Sequence, residues 1–158
     1  MKKLVRIVLM ALAVVPLLLS ESRAASRDEG CAIEEFSLTV TGTCQKLRYE
    51  LHRRQDGQGS HMTARLAAGY EDEGGRETVP DAAWLQDFAR LLAEHDAAAW
   101  DGFAETDDNV LDGEGFSLSI RFLDGRKVQA SGSNRFPAGW QDVESGVRKL
   151  FARLGLKE

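Results

Sequence analysis

Apolar and polar positions alternate strictly along several stretches of the chain. Phe36, Leu38 and Val40 are interleaved with Ser37, Thr39 and Thr41, and Leu47, Tyr49 and Leu51 with Lys46, Arg48, Glu50 and His52. A period of two puts every second side chain on one face of a strand, so the two runs predict a hairpin turning near Gly42. Met62, Ala64, Leu66, Ala68 and Tyr70, set against Thr63, Arg65, Ala67 and Gly69, predict a third strand. The polar, glycine-rich run Gln55 to Ser60 reads as the connection before it, and a charged turn from Glu71 to Glu77 leads on to Pro80 and Asp81. The clearest strand is Phe116, Leu118, Ile120 and Phe122 against Ser117, Ser119 and Arg121. Asp124-Gly125 marks a tight turn after it, Val128 and Ala130 continue a returning strand, and Ser131-Gly132-Ser133-Asn134 reads as the turn that follows.

Two other segments have a helical period. Trp84, Leu85, Phe88, Leu91 and Leu92 recur at offsets 0, 1, 4, 7 and 8, with Pro80 suited to the first turn and Asp81 near its positive end. Trp140, Val143, Val147, Leu150, Phe151 and Leu154 form a second apolar stripe, with Gly155 placed to stop the helix and Lys149 and Arg153 near its negative end. The predicted fold is therefore α+β: a largely antiparallel sheet of about five strands in the order β-β-β-α-β-β-α, with two amphipathic helices packed on it.

The first residues follow neither period. Lys2, Lys3 and Arg6 precede Ile7 to Leu19, an apolar run of 13 residues containing Pro16. That is shorter than the roughly 20 residues needed to cross a bilayer, and it reads as a secretory signal peptide cut after Ala24. Cys31 follows Gly30, but Asp28 and Glu29 stand where a lipobox needs small and aliphatic residues, so no stable membrane anchor is expected after cleavage. The expected organisation is a cleaved signal peptide over 1–24, a lead-in over 25–35 and one α+β domain over 36–158. Localisation is then extracytoplasmic, in the periplasm or secreted.

The leader also changes the charge. The 158 residues carry 20 basic and 25 acidic side chains, a formal −5. Removing residues 1–24 takes away Lys2, Lys3, Arg6, Arg23 and Glu21 and leaves net −8 on 134 residues. An acidic domain lacks the basic footprint that nucleic acid requires, and if its charge is used the partner is cationic. Export opens the way to a disulfide between Cys31 and Cys44, yet the hairpin puts Cys44 at its turn and Cys31 beyond the far end of the strand.

Candidate chemistry lies in two segments. Trp100 to Gly115 holds two aromatics and six acids, including Asp101, Asp107, Asp108 and Asp112. Clustered carboxylates suit calcium, but an EF-hand loop starting at Asp108 would put Val110 at a ligand position and one starting at Asp107 would put Leu111 there, and a solvated loop anchored by Trp100 and Phe103 is the simpler reading. Ser131 to Arg135 lies where a strand gives way to a helix. There Ser131, Ser133, Asn134 and Arg135 are candidate ligand or interaction residues for an anion, against the simpler role of turn and capping bonds. No nucleophile elbow, zinc motif, phosphate loop or dinucleotide fingerprint occurs, so no catalytic, metal or cofactor residues are assigned and no cofactor is expected. His95 stands alone at a helix end.

Trp100-Asp101-Gly102-Phe103, Val110-Leu111-Asp112-Gly113, Asp124-Gly125 and Ser131-Gly132-Ser133-Asn134 with Phe136-Pro137 together resemble a group of uncharacterised bacterial secreted or lipoprotein-like domains. The resemblance runs from about Phe36 and implies an extracytoplasmic bacterial protein without implying an activity. The expected function is a soluble binding or interaction domain for a protein or small ligand. The alternatives are an envelope enzyme, hydrolase-like, or an inhibitor of an envelope or host enzyme presenting the Trp100–Gly115 loop.

Overall fold

A computed structural model describes residues 32–69, 74–110 and 113–157. The signal segment, Cys31, Tyr70, Leu111 and Asp112 lie outside the described residues. Among the described residues seven strands form one sheet: β1 (Ile33–Thr41), β2 (Lys46–Asp56), β3 (Gly59–Ala68), β4 (Arg76–Thr78), β5 (Ala104–Thr106), β6 (Gly115–Phe122) and β7 (Lys127–Ser133). Helix α1 (Ala82–Glu94) follows β4, a 3-10 turn (Ala97–Trp100) precedes β5, and α2 (Trp140–Arg153) follows β7. The spatial order is β4-β3-β2-β1-β6-β7-β5. Every pairing is antiparallel except that of β5 with β7, which is parallel.

The α+β class and the two helices match expectation, while the strand inventory needs correction. β4 and β5 have three residues each, too few for an alternating pattern, and β4 occupies part of the stretch read as a charged turn. The polar run Gln55 to Ser60 is a two-residue hairpin loop at Gly57 and Gln58, with β2 extending to Asp56 and β3 starting at Gly59. Strand β7 runs through Ser133, so Ser131 to Ser133 lie inside the sheet and not in a turn. The segment read as one acidic loop contains a 3-10 turn and β5.

Both helices lie on one face of the sheet. Their apolar stripes meet Phe36 and Leu38 of β1, Leu47, Tyr49 and Leu51 of β2, Met62 of β3 and Phe116, Leu118 and Ile120 of β6 in a single core. Edge-on aromatic contacts join the layers: Phe36 with Phe88 at 4.9 Å and Tyr49 with Phe151 at 5.1 Å. The Trp84 indole N–H donates to the Leu150 carbonyl at 2.8 Å, tying α1 to α2. Gly146 makes the helix pair close, because a Cβ there would come to 2.5 Å from Leu91 Cδ1. Asp81 is the cap of α1, accepting from the Trp84 N–H at 2.7 Å, so Pro80 precedes the cap and lies outside the first turn. Gly155 stops α2 with φ +78°.

No described element covers the other face. Register assigns to it Lys46, Arg48, Glu50, His52 and Arg54 from β2, Ser37, Thr39 and Thr41 from β1, Ser117 and Ser119 from β6, Gln129, Ser131 and Ser133 from β7, and Thr106 from β5.

Candidate functional site

The sequence candidates converge on one corner, where β5 and β7 end. Asp101 Oδ1 accepts from the Gln129 N–H at 2.9 Å, the Gly102 N–H donates to the Gln129 carbonyl at 2.9 Å, and the Ser131 N–H donates to the Phe103 carbonyl at 2.8 Å. The Trp-Asp-Gly-Phe run thus supplies the hydrogen bonds that the outer edge of β7 would otherwise leave open, and β5 continues the seam to Ser133. Trp100 is buried against Trp140 with ring centroids 6.1 Å apart, and its indole N–H donates to the Ala138 carbonyl. This corrects its place among the ligand candidates: Trp100 is core.

Asp107 closes the seam. Its Oδ1 accepts from the backbone N–H of Asn109 at 3.1 Å and from the Asn109 amide at 3.0 Å. These two bonds, with the Arg135 guanidinium at 3.6 Å as a lesser contributor, hold its carboxyl below the usual carboxylate range. Asp107 is therefore engaged in shaping its own turn. Asp108 is exposed, as are Glu105 and Glu114. Among the described residues no group of three or more His, Cys, Asp or Glu is placed to hold a metal ion.

The candidate anion site at Ser131 to Arg135 has its backbone donors engaged elsewhere. The Ser131 N–H is bonded to Phe103, and the Asn134 N–H donates to the Glu114 carbonyl at 2.8 Å, so neither points at a ligand. Asn134 takes a left-handed conformation, φ 58°, which its short polar side chain tolerates. The segment serves close chain approach instead, while the Ser131 and Ser133 side chains emerge on the uncovered sheet face.

The three histidines pair elsewhere. His52 Nδ1 lies 3.5 Å from Glu35, His61 Nδ1 3.6 Å from Asp56, and His95, the C-terminal cap of α1, 3.9 Å from Asp142. On the helix side a hollow of about 170 Å³ opens between Val40, Phe136, Trp140 and Glu144, but Glu144 already holds Arg148 at 2.6 Å.

Sequence reasoning missed the surface that the fold sets beside this corner. Across β1, β6, β7 and β5 the uncovered face presents Ser37–Ser119–Gln129, Thr39–Ser117–Ser131–Ala104 and Thr41–Gly115–Ser133–Thr106 as three parallel rows. None of these positions carries a charge, although 28% of the chain is charged. On β2 and β3 the same face is covered by long side chains, Arg65 reaching Glu50 at 2.7 Å, and Thr63 and Ala67 are buried beneath them. The rows instead leave a shallow depression of about 360 Å³ lined by Gly102, Phe103, Ala104, Ser117, Ser119, Gln129 and Ser131. The readable signal was the identity of the polar half of each alternation: hydroxyls in 37–41 and 117–119, ionisable groups in 46–54.

No family model matches the chain, and no curated protein or solved structure is similar to it. The motif residues are thus interpreted through their positions, and those that are described gather around the seam between the Trp100–Asp107 segment and β7.

Proposed function

We propose that this chain is an exported, extracytoplasmic bacterial domain that binds a partner or ligand and does not transform it, and that it binds through the uncovered face over β1, β6, β7 and β5. One observation carries the reading: this half of the sheet is faced with short hydroxyl side chains where long charged ones would keep a surface solvated and unvisited. Serine is a poor strand former, so its recurrence at Ser37, Ser117, Ser119, Ser131 and Ser133 does not follow from strand propensity. Short side chains also lose little rotamer freedom on contact, which lowers the cost of docking.

Export rests on the basic start and the apolar run Ile7 to Leu19. A serine hydrolase built on this corner would need a histidine joined to it, and His52, His61 and His95 are instead each set beside a carboxylate of their own. An inhibitory loop would need to present its aromatics, and Trp100 faces inward.

A photocrosslinking residue at Ser119, compared in cells with one at exposed Gln86 on α1, tests the reading. An adduct in the envelope fraction from position 119 and none from 86 is expected. Adducts from 86 alone, or from neither, would end it.

A further inference from the structure

On the helix side of the sheet, away from the hydroxyl rows, we propose that the hollows around Phe136 and Trp140 receive a lysine or arginine side chain of a partner protein, with a backbone carbonyl of the same partner segment accepting from the Trp140 indole.

The observation that asks for a ligand is an unmet donor. Trp84 and Trp100 give their indole N–H groups to the carbonyls of Leu150 and Ala138. Trp140 is only 6% exposed, yet among the described residues no group accepts its indole N–H. Such a donor is uncommon in a folded chain, because burial has taken most of its water away. Its nitrogen is not among the side-chain atoms sealed from solvent, and Trp140 lines two adjoining hollows. One, of about 260 Å³, includes Pro137 and Asp142, and the other, of about 170 Å³, includes Val40, Glu114 and Glu144. The first turn of α2 adds to the demand. Gly139 supplies no side-chain cap, and the backbone N–H groups of Gln141 and Asp142 meet no acceptor among the described residues. These donors together call for a carbonyl.

The charges decide what carries that carbonyl. Glu114 is exposed and makes no ion pair among the described residues. Arg148 places both of its bonds to Glu144 on one oxygen, Oε1, at 3.1 and 2.6 Å, which leaves Oε2 open. Asp142 stands as a third carboxylate at the rim. Three acids against one guanidinium repel a phosphate or a terminal carboxylate and attract a cation, as does the formal −5 of the whole chain. Arg148 demonstrates the chemistry within the molecule: one guanidinium already rests on Glu144, and a second cation has Oε2 and the Glu114 carboxylate for itself. The stacked rings of Phe136 and Trp140, 5.4 Å apart, form an apolar wall for the methylene stem behind that charge.

Size favours a side chain over a free small molecule, since each hollow falls below the roughly 300–1,000 Å³ of pockets that enclose drug-sized ligands. An apolar partner would cover the Trp140 N–H and the carboxylates without satisfying them. A second copy of this acidic chain brings charge of the same sign.

The test is a titration of the purified protein with a capped nonapeptide of alternating glycine and arginine, followed by the indole proton–nitrogen resonances of the three tryptophans. A saturable shift of the Trp140 resonance is expected, with Trp84 unmoved, and none is expected from the same peptide carrying citrulline, which keeps the carbonyls and loses the charge. The double variant Glu114→Gln, Glu144→Gln should weaken binding about fivefold or more, and the control pair Glu77→Gln, Glu105→Gln, made of exposed acids elsewhere, less than about twofold. Thermal midpoints of both variants within a few degrees of the parent show that they are folded. No saturable shift, an equal shift with the citrulline peptide, or an equal loss in the control pair would overturn the proposal. The outcome is independent of the crosslink at position 119, which lies on the opposite face of the sheet.

Discussion

Gly132 of β7 lies directly against Phe116 of β6: a Cβ at position 132 would come to 2.7 Å from Phe116 Cε1 and overlap the carbonyl oxygen of Arg135. Phe116 in turn stacks among Trp140, at 4.3 Å, and Phe136, at 5.8 Å. The glycine of the Ser-Gly-Ser-Asn run is therefore the point where the chain folds back over its own aromatic cluster.

Gly132→Ala is expected to destabilise the protein by about 1–3 kcal/mol, because neither a ring held in the core nor a backbone carbonyl can retreat cheaply. Gly57→Ala is the control, since a Cβ there meets nothing within 4 Å and should change stability by no more than about 0.5 kcal/mol. Chemical denaturation of both variants checks this, and equal midpoints would refute the close-approach reading.

Trp100→Ala removes a buried ring and the indole bond to Ala138. A loss of about 3–5 kcal/mol is expected, as for other large aromatic truncations in a core. A variant as stable as the parent would return Trp100 to the ligand candidates.

Asp81→Ala leaves the Trp84 N–H without its cap and should cost about 1 kcal/mol, read as a drop of a few degrees in Tm. Asp81→Asn, which keeps an accepting oxygen, should restore most of it.

Asp87, Asp107 and Asp124 are all held below the usual carboxylate range, chiefly by hydrogen bonds from Arg153, from the Asn109 backbone and from the Arg126 backbone respectively. Their folded forms bind protons less readily than the unfolded chain, so their contribution is present above the unfolded value near about 3.9 and is lost as pH falls through the folded values. Thermal midpoints should hold near neutrality and fall below about pH 4. The triple variant Asp87→Asn, Asp107→Asn, Asp124→Asn should fall less steeply, and an unchanged slope would exclude these three groups as the source.

Cys44 sits exposed in the turn between β1 and β2, while the Ala32 carbonyl, accepting from the Leu123 N–H, fixes the chain at the opposite end of β1. Cys31 lies outside the described residues, one position before Ala32. The nine residues of β1 extend about 26 Å at about 3.3 Å per residue, against the roughly 7 Å that a bridge allows. Alkylation of the denatured, unreduced monomer should therefore label both cysteines, and an unlabelled pair would contradict the register of β1.

Local pattern was sufficient for the long elements. The alternation in 36–41, 46–52 and 116–122 and the stripes beginning at Trp84 and Trp140 each place at least three apolar side chains on one face, and burial of such a face leaves few alternatives. β4 and β5 escaped because three residues carry no period; Ala104, Glu105 and Thr106 are a strand only because β7 offers an edge and the Trp100–Phe103 turn delivers them to it. Glycines and an asparagine that resembled a ligand-binding turn proved to be backbone requirements, which no spacing rule separates from a site.

The sequence by itself determined the fold class, the two helices, the main hairpins and the residues of the core, because hydrophobic periodicity is a local record of which side faces inward. Only the tertiary structure decided that the helices cover a single face and that hydroxyls from β1, β6, β7 and β5 stand in register on the other. Register between strands distant in sequence is set by packing across the whole sheet, and side chains 80 or more positions apart, such as Ser37 and Ser119, become neighbours only when that packing is complete.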